Sequence, residues 1–424
     1  MLDTGNTAWM LMSASLVLLM TPGLAFFYGG MVRGKSVLNM LMMSFGAMGV
    51  IGILYVLWGY SMSFGSDIAG LFGNPFEMGG LKGLFEMTSE GFTFTDTNGL
   101  PDLVNVGFQA TFAIITVALI SGAIADRVRF SAWMVFTGVW VTLVYFPLAH
   151  MVWGGGLLSG DGPFASIATP IDFAGGTVVH INAGMAALVL ALVIGKRKGF
   201  GKEAMRPHNL PFVMLGAALL WFGWFGFNAG SAYGANGLAG LAWVNTTVAT
   251  CAAMCGWLLT ERLRDGHATS LGAASGIVAG LVAITPAAGS VSPVGSILLG
   301  AVAGVLSALA VGLKYKFGYD DSLDVVGVHL VSGLWGTLAI GLLAADGGLF
   351  YGGGLSQLAV QAIIAIAALA FTAILTFIIA IAIKKTIGWR VSEAVEVAGI
   401  DLNEHGESAY ESLGATRITP EVRS

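Results

Sequence analysis

Eleven mostly apolar stretches, each close to twenty residues long, dominate this chain: 8–32, 37–63, 103–124, 131–149, 174–195, 210–230, 238–260, 270–287, 294–313, 325–344 and 357–383. Crossing ~30 Å of hydrocarbon takes about 20 residues of helix. Inside a bilayer, a spanning segment must satisfy its own backbone N–H and C=O groups. The chain therefore reads as an all-α polytopic membrane protein with eleven transmembrane helices. Only 10% of its residues are charged, against about 25% in soluble domains, which argues against a water-soluble enzyme. The 62 glycines of 424 residues carry no Gly-X-Y period, so they fit helices packed at short range better than collagen or low-complexity chain.

The first stretch reads as a span rather than a signal peptide, because no Lys or Arg precedes it and no Ala-x-Ala site follows. Basic residues set the orientation. Eighteen of the nineteen fall in alternate loops and in the C-terminal tail, including Arg33, Arg127, Lys196, Arg264, Lys314 and Arg390, and only Lys82 lies opposite. This places the N-terminus outside and the tail in the cytoplasm. Residues 1–383 form the membrane domain, and 384–424 form a polar regulatory tail without a core of its own. The net charge of −5 and the lack of a basic run argue against a nucleic-acid partner. Cys251 and Cys255 are too few for a disulfide framework or zinc cluster and read as small packing residues.

Two histidines stand inside spans. Val179-His180-Ile181-Asn182-Ala183-Gly184 and Val328-His329-Leu330-Val331-Ser332-Gly333 share the pattern V-H-x-x-x-G. They lie in the fifth and tenth segments, so two five-helix halves would run with opposite topology, an inverted repeat whose functional site lies near the midplane. An intramembrane ionisable residue is costly and by default points to function. Two facing imidazoles can share one proton and line a pore. Asp172, just ahead of the fifth segment, has two readings: a helix N-cap or a charge that holds a cation. Phe108 and Phe112 lie one turn apart, Trp153 closes an outer helix end, and the sixth segment ends Trp224-Phe225-Gly226-Phe227-Asn228-Ala229-Gly230-Ser231. Gly226/Gly230, Gly272/Gly276, Gly276/Gly280 and Gly300/Gly304 have the spacing of close helix packing or subunit association. No P-loop, H-E-x-x-H or Ser-His elbow is present, so neither ATP-driven pumping nor hydrolysis is indicated. No Arg-rich span or T-V-G-Y-G element occurs either. Whatever crosses should be small and largely uncharged.

Taken together, these motifs resemble the ammonium transporter (Amt/Mep/Rh) family, on its Amt side. The most specific stretch is Asp172-Phe173-Ala174-Gly175-Gly176-Thr177-Val178-Val179-His180-Ile181-Asn182-Ala183-Gly184. Pro22 through Gly30, Ala149 through Gly156, Ile284-Thr285-Pro286-Ala287, Asp324 through His329 and Gly388-Trp389-Arg390-Val391 support it. The resemblance implies eleven helices, an outside N-terminus and a homotrimer in the cell membrane, with one pore per subunit. It implies that Phe112, Trp153 and Ser231 recruit ammonium, that Phe112 and Phe227 stack as a gate, that His180 and His329 line the pore, and that Asp172 lies below the recruitment site. It implies no cofactor or metal and no enzymatic reaction. It also implies a PII-type nitrogen-status protein as cytoplasmic partner, with methylammonium as a substrate analogue.

Ammonium and potassium ions are nearly equal in size, so width alone separates them poorly. A Trp153/Phe112 site would hold the cation by cation–π attraction, worth up to about 2 kcal/mol, with Ser231 accepting an N–H. Beyond the gate an apolar pore disfavours an intact ion, and ammonia passes along the histidines. The proton then either follows or returns outside, and the residues alone leave both routes open. A flux-free sensor, a neutral-solute channel and a two-histidine metalloenzyme are the rival readings. The last lacks the usual third ligand.

Overall fold

A computed structural model describes residues 2–410; Met1 and residues 411–424, including the tail's Arg417 and Arg423, lie outside the described residues. Among the described residues, ten helices are long and apolar enough to span a membrane: α1 (Thr4–Met31), α2 (Val37–Phe64), α3 (Asp102–Ile124), α4 (Phe130–Trp153), α5 (Gly176–Ile194), α6 (Leu210–Ala232), α7 (Gly237–Asp265), α9 (Pro293–Phe317), α10 (Val326–Leu343) and α11 (Ser356–Thr386). The expected segment 270–287 is the apolar helix α8 (Ser270–Ile284), whose 15 residues fall short of the usual spanning length. The chain is thus a mainly helical, multi-pass membrane protein.

Polar side chains start several helices by taking up amides left free in the first turn. Asp3 accepts from Asn6 N, Asn209 from Phe212 N, Asn236 from Ala239 N and Thr269 from Gly272 N, at 2.9–3.0 Å. Glycine then sets how closely helices approach. The Gly276/Gly280 pair on α8 and the Gly300/Gly304 pair on α9 both press on Ala249 to Met254 of α7. Their spacing therefore serves packing within this chain, and Gly226/Gly230 does the same against Ser13 and Leu16 of α1. Ala249 and Ala253 occupy that buried face, so Cys251 and Cys255 fall on the outward side and are exposed. Read from the sequence as small packing residues, they lie outside the buried packing of this chain.

The 65–101 connection carries three short antiparallel strand pairs: Asp67–Ile68 with Phe72–Gly73, Phe85–Thr88 with Gly91–Phe94, and Asp96–Thr97 with Leu100–Pro101. The last turns at Asn98-Gly99, both at positive φ (53° and 82°), as a tight two-residue hairpin requires. The described part of the tail is tied to the loops that hold most of the basic residues. Arg129 N donates to Trp389 O, Val391 N donates to Arg127 O, and the Asp401 carboxylate accepts from Leu38 N and Asn39 N.

Candidate functional site

Both intramembrane histidines lie in helix turns wound wider than the α-helix. The stretches Gly176–Ile181 and Val326–Leu330 are π-helical, and His180 N donates to Gly175 O, five residues back. Such turns recur at functional sites because they re-aim side chains. Each is preceded by a carboxylate that takes up its free amides. Asp172 accepts from Gly175 N, Gly176 N, Thr177 N and Val178 N at 2.5–3.2 Å and from the Thr177 hydroxyl. Asp321 accepts from Val325 N at 3.1 Å and Val326 N at 2.7 Å. Asp172 and Asp321 each stand eight positions ahead of their histidine.

The V-H-x-x-x-G glycines explain how the two turns meet. A Cβ on Gly184 would lie 2.6 Å from Leu330 Cβ, and one on Gly333 would lie 3.0 Å from His180 Cβ. Each glycine therefore admits the residue at or beside the other half's histidine. The crossing brings His180 Nδ1 to 3.3 Å from His329 Nδ1, with ring planes 22° apart. In two neutral rings, one Nδ1 must donate and the other accept, which leaves one bare Nε2 and one Nε2–H. His180 Nε2 is buried without a protein partner. His180 also stacks on Trp224 at 5.5 Å, and the indole donates to Thr285 Oγ1 at 2.8 Å, which holds the ring plane. Around both histidines lies a cavity of 10 Å³, otherwise lined by aliphatic and aromatic groups such as Leu24, Ile115, Leu119 and Phe227. That is room for about one water-sized guest.

Above this cavity Phe112 and Phe227 stack face to face, 4.1 Å between centroids and 14° between planes. Beyond them opens a second cavity of 450 Å³, lined by Phe112, Trp153, Ser231, Gln109 and Tyr233 among others. The Trp153 ring meets Phe112 edge-on at 6.1 Å, and its N–H donates to Asp172 O at 2.8 Å. Ser231 Oγ donates to Phe227 O at 2.8 Å, so its lone pairs remain to accept from a guest. Phe112, Trp153 and Ser231 therefore surround one space, Phe112 and Phe227 floor it, and His180 and His329 lie beneath.

Asp172 stands apart from that space. Its side chain is consumed as a cap, which favours the first of its two readings, and it meets the cavity through the Trp153 bond to its backbone carbonyl. His150, in the last turn of α4, is buried with Nε2 2.9 Å from Asp67 Oδ1 and Nδ1 3.1 Å from Ser63 O. Its hydrogen bond holds the Asp67 carboxyl below the usual range. Sequence reasoning passed over Asp321, Trp224 as the backing of His180, and Tyr233. The shared eight-residue spacing would have found Asp321. Among the described residues, no three His, Cys, Asp or Glu gather to hold a metal.

Comparison with known proteins points one way. The profile described as Ammonium Transporter Family matches residues 8–410. An ammonium transporter of Mycobacterium tuberculosis is 59% identical, covering 96% of this chain and 91% of its own. The crystal structure of Candida albicans Mep2 superposes with a TM-score of 0.84 at 30% identity over 99% of this chain and 95% of its own. A structure described as "Sensor Amt Protein" superposes at 0.85 and 28% identity, over 94% and 97%. With a profile match along nearly its whole length and a relative this similar, the chain belongs to the ammonium transporter family, whose members are transporters rather than enzymes.

Proposed function

We propose that the protein recruits ammonium at Phe112, Trp153 and Ser231 on the outer side of the cell membrane and conducts ammonia past the Phe112/Phe227 gate along His180 and His329. One observation carries this reading: a stacked phenylalanine pair divides an open aromatic cavity of 450 Å³ from a mostly apolar one of 10 Å³. On the open side, ring faces attract a cation and Ser231 accepts an N–H. On the closed side, no carboxylate replaces lost hydration, so an intact ion is strongly disfavoured. Ammonium gives up a proton and passes neutral, held between a bare Nε2 and an Nε2–H, whereas potassium has no neutral form.

In this reading α8 serves as the eleventh pass, with its C-terminal end buried in protein, and residues 1–383 form two inverted five-helix repeats plus α11. Loop charges support an outside N-terminus and a cytoplasmic 384–424 tail. Family membership supports a homotrimer in the cell membrane, with a PII-type protein as partner at the tail face.

The test is labelled methylammonium uptake into proteoliposomes. Wild type should accumulate it, and His180→Ala with His329→Ala should reduce uptake about tenfold or more, the scale of a 1.4 kcal/mol rise in the barrier. Unchanged uptake in the double variant ends the histidine assignment. Current across a solid-supported membrane separates the proton routes: a current means that the proton follows, and uptake without current means that it returns outside. The likeness to the "Sensor Amt Protein" structure supports a second reading, ammonium sensing without flux. Binding without uptake in wild type would favour it.

A further inference from the structure

A second cavity, of 350 Å³, adjoins the recruitment cavity on the same side. It is lined by polar groups, Asn6, Tyr60, Thr97, Asn98, Asp102 and Asn105, together with Leu100 and Tyr233. Asn105 and Tyr233 line both cavities, so they form the partition between them. That partition is one hydrogen-bonded chain: Gln109 Nε2 donates to Tyr233 Oη at 2.6 Å, Tyr233 Oη donates to Asn105 Oδ1 at 3.0 Å, and Asn105 Nδ2 donates to Tyr60 Oη at 3.3 Å. Tyr233 is held at φ 54°, an unfavourable backbone for a bulky residue, and such strain collects where a side chain must be aimed.

Asp102 is the one carboxylate in this lining. Its Oδ1 accepts from the Thr97 hydroxyl at 2.8 Å, and Oδ2 accepts no hydrogen bond from the described residues. Asn98 Oδ1 likewise accepts none from them, and the oxygens of Asn6, Tyr60 and Asn105 accept one each, so each keeps a lone pair for a partly hydrated monovalent cation. We propose that this cavity is an antechamber, a second outer cation site in which Asp102 concentrates ammonium or methylammonium ahead of Phe112, Trp153 and Ser231, with the Asn105–Tyr233 partition as the passage between the two. The proposal deepens the transport reading above and rests on it. A cleft with one sign of charge raises the local concentration of its counter-ion. Because the antechamber precedes the gate, it acts on apparent affinity and leaves the turnover of the pore untouched.

The experiment measures methylammonium uptake against concentration in proteoliposomes at low and high salt. Asp102→Asn should raise KM about threefold at low salt, the scale of one charge acting across a partly screened vestibule. Vmax should stay unchanged, and the gap should close at high salt. Asp102→Glu should keep the wild-type KM. Asp102 also opens α3, where a carboxylate favours the helix dipole, so a relocated charge separates the roles. Asn98→Asp in the Asp102→Asn background returns a carboxylate to the same cavity, away from the helix end, and should restore KM. A KM equal to wild type in Asp102→Asn at both salt concentrations overturns the antechamber. So does a fall in Vmax with KM unchanged, or a raised KM that Asn98→Asp does not lower. Failure of the transport reading is distinct: wild type itself would show no uptake, or the paired histidine variant would transport normally.

Discussion

The two carboxylate-capped histidine turns share one local design set in different surroundings. In the first copy, Asp172 takes four amides and one hydroxyl beside the aromatic cavity. In the second copy, Asp321 takes two amides and is buried among charges. Lys314 Nζ donates to its backbone oxygen at 3.0 Å and pairs with Asp324 at 2.7 Å, and Arg197 pairs with Asp320 at 2.8 Å. Burial, with Asp324 close by, pushes the Asp321 carboxyl up to about 6. The neighbouring Asp320 moves the other way: burial pushes it up, but Arg197 and Arg127 outweigh that and lower it. The shared part, cap plus glycine, aims the histidines at each other. The part that differs separates an Asp172 end bonded by dipoles from an Asp321 end held by ion pairs.

Substitutions can break this comparison. The largest effect is expected from Asp172→Ala, which strands five donors. Buried donors left without a charged acceptor cost on the order of 3 kcal/mol or more together, so thermal melting in detergent should fall sharply and uptake should be lost. Asp321→Ala strands fewer donors and should destabilise less; equal losses would mean that hydrogen-bond number does not set the Asp172 cap's strength. Next comes Gly184→Ala. Its Cβ would meet Leu330 at 2.6 Å, and overpacking of that kind costs about 1–3 kcal/mol. Gly333→Ala, at 3.0 Å, should cost less, and both should lower uptake by parting the imidazoles.

The smallest effect at neutral pH sharpens the electrostatic half of the comparison. The Asp321 carboxyl has a folded pKa of about 6 against an ordinary 3.8, so the folded chain holds its proton more tightly. Its contribution to stability is therefore greatest below about pH 4, declines as pH rises towards 6 and stays low above that. Asp321→Asn should flatten the melting-temperature profile across that window. Near pH 7 it should change little, because losing a buried charge offsets weaker hydrogen bonds. A wild-type profile that rises through the window would reverse the assigned sign.

The residues show unequally how much they disclose on their own. His180 and His329 announced themselves as ionisable groups in apolar spans, and V-H-x-x-x-G marked their equivalence. Asp321 stayed hidden because Asp324, nearer the histidine, drew the eye to a shorter motif. Cys251 and Cys255 misled because an apolar run does not say which face turns inward. Asn105 and Tyr233 lie 128 positions apart, and no local pattern joins them.

What the amino-acid order determined by itself is whatever depends on neighbours along the chain. Apolar length dictates helices that cross a membrane, charge placement dictates which loops share a side, and polar residues ahead of apolar runs dictate where helices begin. What only the tertiary structure decided is whatever depends on helices meeting. The 3.3 Å between the imidazole nitrogens, the stacking of Phe112 on Phe227 and the partition beside Asp102 each join residues from separate elements. For the imidazoles that separation is set by how closely Gly184 and Gly333 let backbones cross, a quantity fixed by three-dimensional contact and not by sequence spacing.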